Sequence, residues 1–317
     1  MIFSKESSYK IENNVILKNN EEIGIIKPTI FHEIHSDKID IYGSNEIISL
    51  ASNLDDDEKI IYLRMSGSIL LGNKEEVHGA NQLLADPVLS RTYSYLSEVA
   101  ENLSELINFY NLISEARVML IGCGGIGSLT ALNLAGLGVK KLVLIEGDRI
   151  EESNLNRQFL FSRRDIGKYK IDVLKEFILN RFNCELNCIK KRINFEEINS
   201  IVKNIDLLII TADEPDGIEF RLHKTAFEKG IPSISGGYAN NLSKVFSNLG
   251  SKIEDTILSA KVERFPFSIM PSFGPTNTEL AGLISSLATQ YLIKKLNAKE
   301  EINICWENNK FPRNFFN

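Results

Sequence analysis

Between two apolar segments the chain reads Gly122-Cys-Gly-Gly-Ile-Gly127, and this turn restricts the possible folds more than any other stretch. Val118-Met-Leu-Ile, just upstream, is too short for a helix and is stopped by glycine, so it reads as a buried strand. Residues 127–137 read as an apolar helix, and Lys141-Leu-Val-Leu-Ile-Glu146 reads as the next strand. Glycines at such a junction let the backbone turn tightly and approach a phosphate or ribose. The acid ending the second strand can accept hydrogen bonds from ribose hydroxyls. Gly122, Gly124, Gly125, Gly127 and Glu146 are therefore candidate nucleotide-binding residues, with a tight turn that holds no ligand as the bland alternative.

The same alternation continues. Helices are expected at 169–181, near 195–202 and at 218–229, and strands at 186–190, 206–211 and 232–235. Strands alternating with helices predict an α/β fold, a Rossmann-like domain whose mainly parallel sheet carries helices on both faces. A last strong helix is expected at 277–296, after a proline-containing loop at 265–275.

The first 85 residues differ in character. Val15-Ile-Leu-Lys and Glu22-Ile-Gly-Ile-Ile-Lys flank Asn19-Asn20 like a hairpin, and Ile39-Asp-Ile-Tyr alternates like a third strand. Ser44 precedes Ile47, Ile48, Leu50, Ala51 and Leu54 at helical spacing, and a second helix is expected after Asp55-Asp56-Asp57. Three strands followed by helices predict a small winged-helix-like domain at 1–85 ahead of the main domain at 86–317; the alternative is an extension that merely packs on the main domain. Gly72 to Gly79 reads as a polar loop, and 87–113 as one helix with an apolar stripe.

Composition excludes little. At 43% hydrophobic and 25% charged the chain is ordinary for a globular protein, and a net charge of −6 argues against nonspecific nucleic-acid binding. No apolar stretch reaches the ~18 residues that span a bilayer, and the start carries no signal-peptide pattern, so a cytoplasmic protein without membrane attachment is expected. Cys123, Cys184, Cys188 and Cys305 form no CxxC pair, so no zinc site is expected; Cys123 reads as a small packing residue.

The residues after Glu146 bear on the cofactor. Asp148 to Gln158 reads DRIEESNLNRQ, and Gly167-Lys-Tyr-Lys170 comes next. A triphosphate needs cations where pyrophosphate leaves, and Arg157 and Lys170 suit that need. Asp213, at a strand's carboxyl end, lies where open α/β sheets place ligands and could hold Mg²⁺. Each has a bland alternative: Asn154 as a turn residue, Arg157 and Lys170 as a solvated basic pair, Asp213 as a helix N-cap. No GxxxxGK[ST] loop is present.

From about residue 117 to 293 these motifs, with Ala-Asp-Glu-Pro215 and Gly236-Gly-Tyr238, resemble the ubiquitin-activating superfamily of ThiF–MoeB type. Within it the chain most resembles the enzymes that adenylate the microcin C precursor peptide. The resemblance implies ATP and Mg²⁺ as cofactors and an acyl-adenylate-forming, pyrophosphate-releasing activity. It places Glu146 on the ribose, Asn154, Arg157 and Gln158 on ATP, Lys170 on the phosphates and Asp213 on the metal; Arg157, Lys170 and Asp213 would be catalytic. It further implies a homodimer and a precursor-peptide substrate held partly by the N-terminal domain as a clamp. That substrate would belong to a ribosomally made peptide antibiotic, the pantocin type, with cyclised paired glutamates, being one form. The chain departs from the family in lacking paired CxxC zinc knuckles and a convincing thioester cysteine. Of the Arg-Tyr-x-Arg stretch that reaches into a neighbouring subunit, Arg91-Thr-Tyr93-Ser94 keeps only the first arginine. Three rival readings are activation of a ubiquitin-like sulfur carrier, an inactive scaffold subunit, and an NAD-dependent oxidoreductase.

Overall fold

The computed structural model describes residues 9–43, 46–51, 54–239, 242–249, 253, 272–297 and 300–307. Ser44 and most of the loop expected at 265–275 lie outside them. The chain divides into two compact units, 1–111 and 112–317. No helix among the described residues is long and apolar enough to cross a membrane.

In the first unit, β1 (Tyr9–Glu12), β2 (Val15–Lys18) and β3 (Glu21–Ile26) run as an antiparallel meander, and β7 (Ile69–Leu71) closes it on the far side of β3. Asn13, Asn14, Asn19 and Asn20 all take positive φ, the conformation asparagine tolerates in tight hairpin turns. A second antiparallel sheet contains β4 (Phe31–Ile34), β5 (Lys38–Tyr42) and β6 (Ile47–Ala51). The helix expected at 47–54 is therefore a strand. Ile47 pairs with Tyr42 and Leu50 with Ile39, and side chains that also fit helical spacing alternate across a sheet instead. Helix α1 (Asp56–Met65) follows the three aspartates as expected, with Asp55 accepting the Glu58 N–H and Glu58 returning the bond to the Asp55 N–H. Ile16, Ile41, Leu50, Ile60, Leu63 and Ile69 form this unit's core.

The polar loop expected between Gly72 and Gly79 is instead the start of α2 (Lys74–Leu84), nucleated by a second capping box between Asn73 and Glu76. The single helix expected over 87–113 is two, α3 (Ser90–Val99) and α4 (Leu103–Glu115). Ala100 breaks them by turning extended, and the Asn102 side chain accepts the Glu105 N–H at the new start. The division between the two compact units falls at 111/112, within α4. Tyr93 packs edge-on to Tyr110 at 5.6 Å, and Leu103 lies against Gly72, so α3 and most of α4 belong with the first unit.

The second unit is mixed α/β with a Rossmann-like, mainly parallel sheet. Its strands are β8 (Arg117–Ile121), β9 (Lys141–Ile145), β10 (Glu185–Ile189), β11 (Leu207–Ile210), β12 (Ser233–Ala239), β13 (Leu242–Ser247) and β14 (Ile302–Glu307). In space they order β10-β9-β8-β11-β12-β13-β14; the first five are mutually parallel, and β13 and β14 join through antiparallel pairings, so that β13 alone runs against the rest. Val118 to Ile121 and Leu207 to Ile210 are buried on both faces, which explains their unbroken apolar sequence. Met119, Ile121, Val143 and Ile145 pack with Ile198 of α7 (Ile198–Ile201) and with Ile218, Leu222 and Ala226 of α8 (Ile218–Glu228). Helices α5 (Gly125–Leu137), α6 (Lys170–Leu179) and α9 (Gly274–Leu292) complete the layers. Strand β14 closes the sheet's edge and carries Trp306, 7% exposed.

Candidate functional site

Successive strands run outward from β8 through β9 to β10, and the chain then returns to β11 on β8's other side. In open α/β sheets such a reversal leaves a crevice at the strands' carboxyl ends, where ligands bind. The glycine turn lies there. Gly122 takes φ +91°, and a side chain on it would fall 2.6 Å from the Ala212 nitrogen. Gly127 presses against the Gly122 carbonyl and Thr211, whose hydroxyl donates to the Gly122 oxygen at 2.8 Å. The turn after β8 is thus seated on the Thr211–Asp213 segment after β11. Gly124 is the N-cap of α5, with no side-chain cap, so the helix start presents backbone N–H groups.

Glu146 braces the turn. Its Oε2 accepts the Cys123 N–H at 2.8 Å and its Oε1 the Asp148 N–H at 2.7 Å. Cys123 is fully buried, and burial pushes its thiol well above the ordinary range, as befits a packing residue.

Residues 151–158 form a short helical turn against the glycines. Asn154 is buried, and its Oδ1 accepts the Glu151 N–H at 3.1 Å, a turn-holding role. The Arg157 guanidinium donates to the Ser153 carbonyl and to Asn156 Oδ1 (3.0 Å), and its carbonyl accepts from Asn277 Nδ2 at 3.3 Å. Gln158, 5% exposed, points toward Gly124, while Asn277 of α9 is pressed against Gly125. Gln158 Oε1 and Asn277 Oδ1 are buried without a hydrogen-bond partner among the described residues. Two orphaned acceptors beside an uncapped helix start are what a nucleotide with its own donors would satisfy.

Lys170 opens α6 and is 7% exposed, so it is no solvated surface lysine. Its Nζ donates to Asp148 Oδ2 at 3.0 Å, while Arg192 grips Asp148 Oδ1 at 2.7 Å and reaches Glu214 at 3.2 Å. Burial works to raise the Asp148 carboxyl, but hydrogen bonds and charge from Lys170 and Arg192 outweigh it and hold it below the usual carboxylate range. Asp213 is exposed just past β11 and makes no hydrogen bond or ion pair among the described residues, which leaves both oxygens available to a cation. It is not the cap of α8; that position is Gly217. Asp148, Arg192, Thr211 and Asn277 complete the arrangement and were not singled out from sequence. Arg91 is exposed on α3 and Tyr93 fully buried.

Over residues 96–316 the chain matches the ThiF family. The chain belongs to the ThiF family. The Aspergillus niger adenylyltransferase and sulfurtransferase uba4 is 38% identical to this ThiF-family chain over 125 residues, 39% of this chain and 26% of that one. A probable molybdopterin-synthase adenylyltransferase of Gracilaria tenuistipitata var. liui is 31% identical over 102 residues, 32% of this chain and 29% of that one. The ThiF-family chain thus spans about a quarter of the length of the curated relatives it matches. Among solved structures, E. coli MccB with ATP shares the fold at TM-score 0.68 and 19% identity, covering 92% of this chain and 95% of that one. PaaA does so at 0.61 and 20%, covering 89% and 96%.

Proposed function

We propose that this protein is an ATP- and Mg²⁺-dependent adenylyltransferase that activates a carboxylate on a ribosomally made precursor peptide. The observation that carries the reading is the convergence at the sheet's carboxyl edge of the glycine turn, the orphaned Gln158 and Asn277 oxygens, and the buried Lys170 ammonium. The substrate carboxylate oxygen attacks the α-phosphorus of ATP, the bond from that phosphorus to the bridging oxygen breaks, and pyrophosphate leaves. The glycine turn and the start of α5 receive phosphate oxygens, Glu146 faces the ribose, and Lys170 and Arg157 offset charge on the departing pyrophosphate. Asp213 would hold Mg²⁺, which supplies further neutralisation of the triphosphate. With no thioester cysteine assigned, the adenylate is consumed directly: an amide or amine nitrogen of the peptide attacks the acyl carbon and AMP leaves, and consumption of a second ATP would give a nucleotide-capped peptide instead.

The fold shared with MccB, solved with MccA and with ATP, supports a peptide as substrate. The winged-helix-like clamp would be built from the β1-β2-β3-β7 sheet with α1 and α2. Strands β4 and β6, edges of the neighbouring sheet, carry the exposed Ile34 and Ile47 and offer backbone to an added leader strand. A homodimer in the cytoplasm, maturing a peptide antibiotic of the pantocin type, completes the proposal.

A second reading, activation of a ubiquitin-like sulfur carrier, is favoured by the uba4 and molybdopterin-synthase relatives. Pyrophosphate exchange separates the two. Exchange that depends on a leader-bearing peptide supports the proposal, and exchange that requires a Gly-Gly-tailed carrier supports the second reading. No exchange with either marks a scaffold. Asp213→Ala should abolish exchange while leaving the fold intact, because the residue is exposed; an unchanged rate would remove Asp213 from the mechanism.

A further inference from the structure

Asp148 holds Lys170 at two points. Its carbonyl accepts the Lys170 N–H at 3.0 Å, and its Oδ2 accepts the Lys170 ammonium at 3.0 Å. The Asp148 N–H in turn donates to Glu146, which braces the glycine turn. A carboxylate this close would cancel the lysine's field at the site if nothing opposed it. Arg192 opposes it. Its Nε and Nη2 sit 2.8 and 2.7 Å from the other Asp148 oxygen, and its Nη1 reaches Glu214, next to Asp213. Each Asp148 oxygen thus serves a different cation, so the carboxylate is not Lys170's alone, while Glu214 takes the outer arm of Arg192. The guanidinium also joins the segment after β9 to the one after β11.

We infer that Asp148 and Arg192 are positioning residues for Lys170, fixing its ammonium toward the polyphosphate and leaving its charge unspent on Asp148. The inference rests on the proposed ATP site and deepens it. Arg192 itself is 69% exposed at the rim, so replacing it leaves the core untouched. A fork of two N–H groups on one oxygen is a geometry that lysine cannot reproduce.

The test is isothermal titration of the full-length protein with ATP and, separately, AMP, for wild type, Arg192→Gln, Arg192→Lys, Lys170→Met and the Lys170→Met/Arg192→Gln double variant. Arg192→Gln is expected to weaken ATP binding about tenfold, the scale of one charge-assisted hydrogen bond, and to leave AMP binding unchanged. Arg192→Lys should restore part of the loss. In the Lys170→Met background Arg192→Gln should add nothing, because the two residues act as one unit. Wild-type protein that fails to bind ATP overturns the proposed site and this inference with it. Wild-type binding with undiminished Arg192→Gln affinity overturns the inference alone. So does an equal loss for ATP and AMP, or an equal loss with and without Lys170, since each is what a merely structural arginine would give.

Discussion

His223 lies within α8, fully buried between Ser233 and Ser235 of β12, with ring-nitrogen distances of 2.7 and 2.8 Å. Ser235 donates its own hydroxyl to Glu219 at 2.6 Å, so it must accept from Nε2–H, and Nδ1 accepts from Ser233. Both nitrogens are satisfied only in the neutral ring. Burial moves the imidazole from 6.5 down to about 4; Glu219 works to raise it and Lys244 to lower it. The unfolded chain takes up a proton near 6.5 and the folded chain only near 4, so between these values acid favours unfolding. The stabilisation is complete above about pH 6.5 and is lost as pH falls toward 4. At ~1.4 kcal/mol per unit the whole shift is worth about 3 kcal/mol, of which roughly 2 kcal/mol disappears between pH 7 and 4.5. His223→Gln keeps hydrogen bonds to both serines but cannot titrate. Urea unfolding followed by far-ultraviolet circular dichroism, at pH 7 and 4.5, should show the wild type losing about 2 kcal/mol more than the variant. Equal losses would refute the neutral, desolvated imidazole.

Local geometry sets three further outcomes. Gly127→Ala drives a methyl into the Gly122 carbonyl and Thr211, so ATP binding measured by calorimetry should be lost with a melting temperature several degrees lower. Asn73→Ala removes the α2 capping box and should cost about 1 kcal/mol in chemical denaturation. Tyr93→Phe removes a buried hydroxyl that has no partner among the described residues, and should leave stability unchanged or raise it by up to about 1 kcal/mol.

The parallel core was legible because its central strands are sealed on both faces and therefore unbroken in their apolar sequence, as in Val118–Ile121 and Leu207–Ile210. Where only one face is covered the pattern was ambiguous. Ile47, Ile48, Leu50 and Ala51 satisfy helical spacing as well as alternation, and pairing with β5 decides between them. Helix α2 buries only Val77 and Ala80, too narrow a stripe to declare itself, although Asn73 and Glu76 announced its start. Strand β14 escaped notice because its partner lies far along the chain: Trp306 pairs with Ser243. The site divides the same way. Glu146, Gln158 and Lys170 belong to runs that can be read locally. Arg192 meets Asp148 across 44 residues, and Asn277 meets Arg157 across 120, and no local spacing reveals such encounters.

Trp306 is the chain's sole tryptophan, and it sits on the sheet's last strand, whose only described neighbour is β13. The protein therefore carries a native optical reporter for one event, the docking of the final strand. Stopped-flow emission would follow that closing step in refolding, while the nucleotide crevice, several strands away, would stay dark to it.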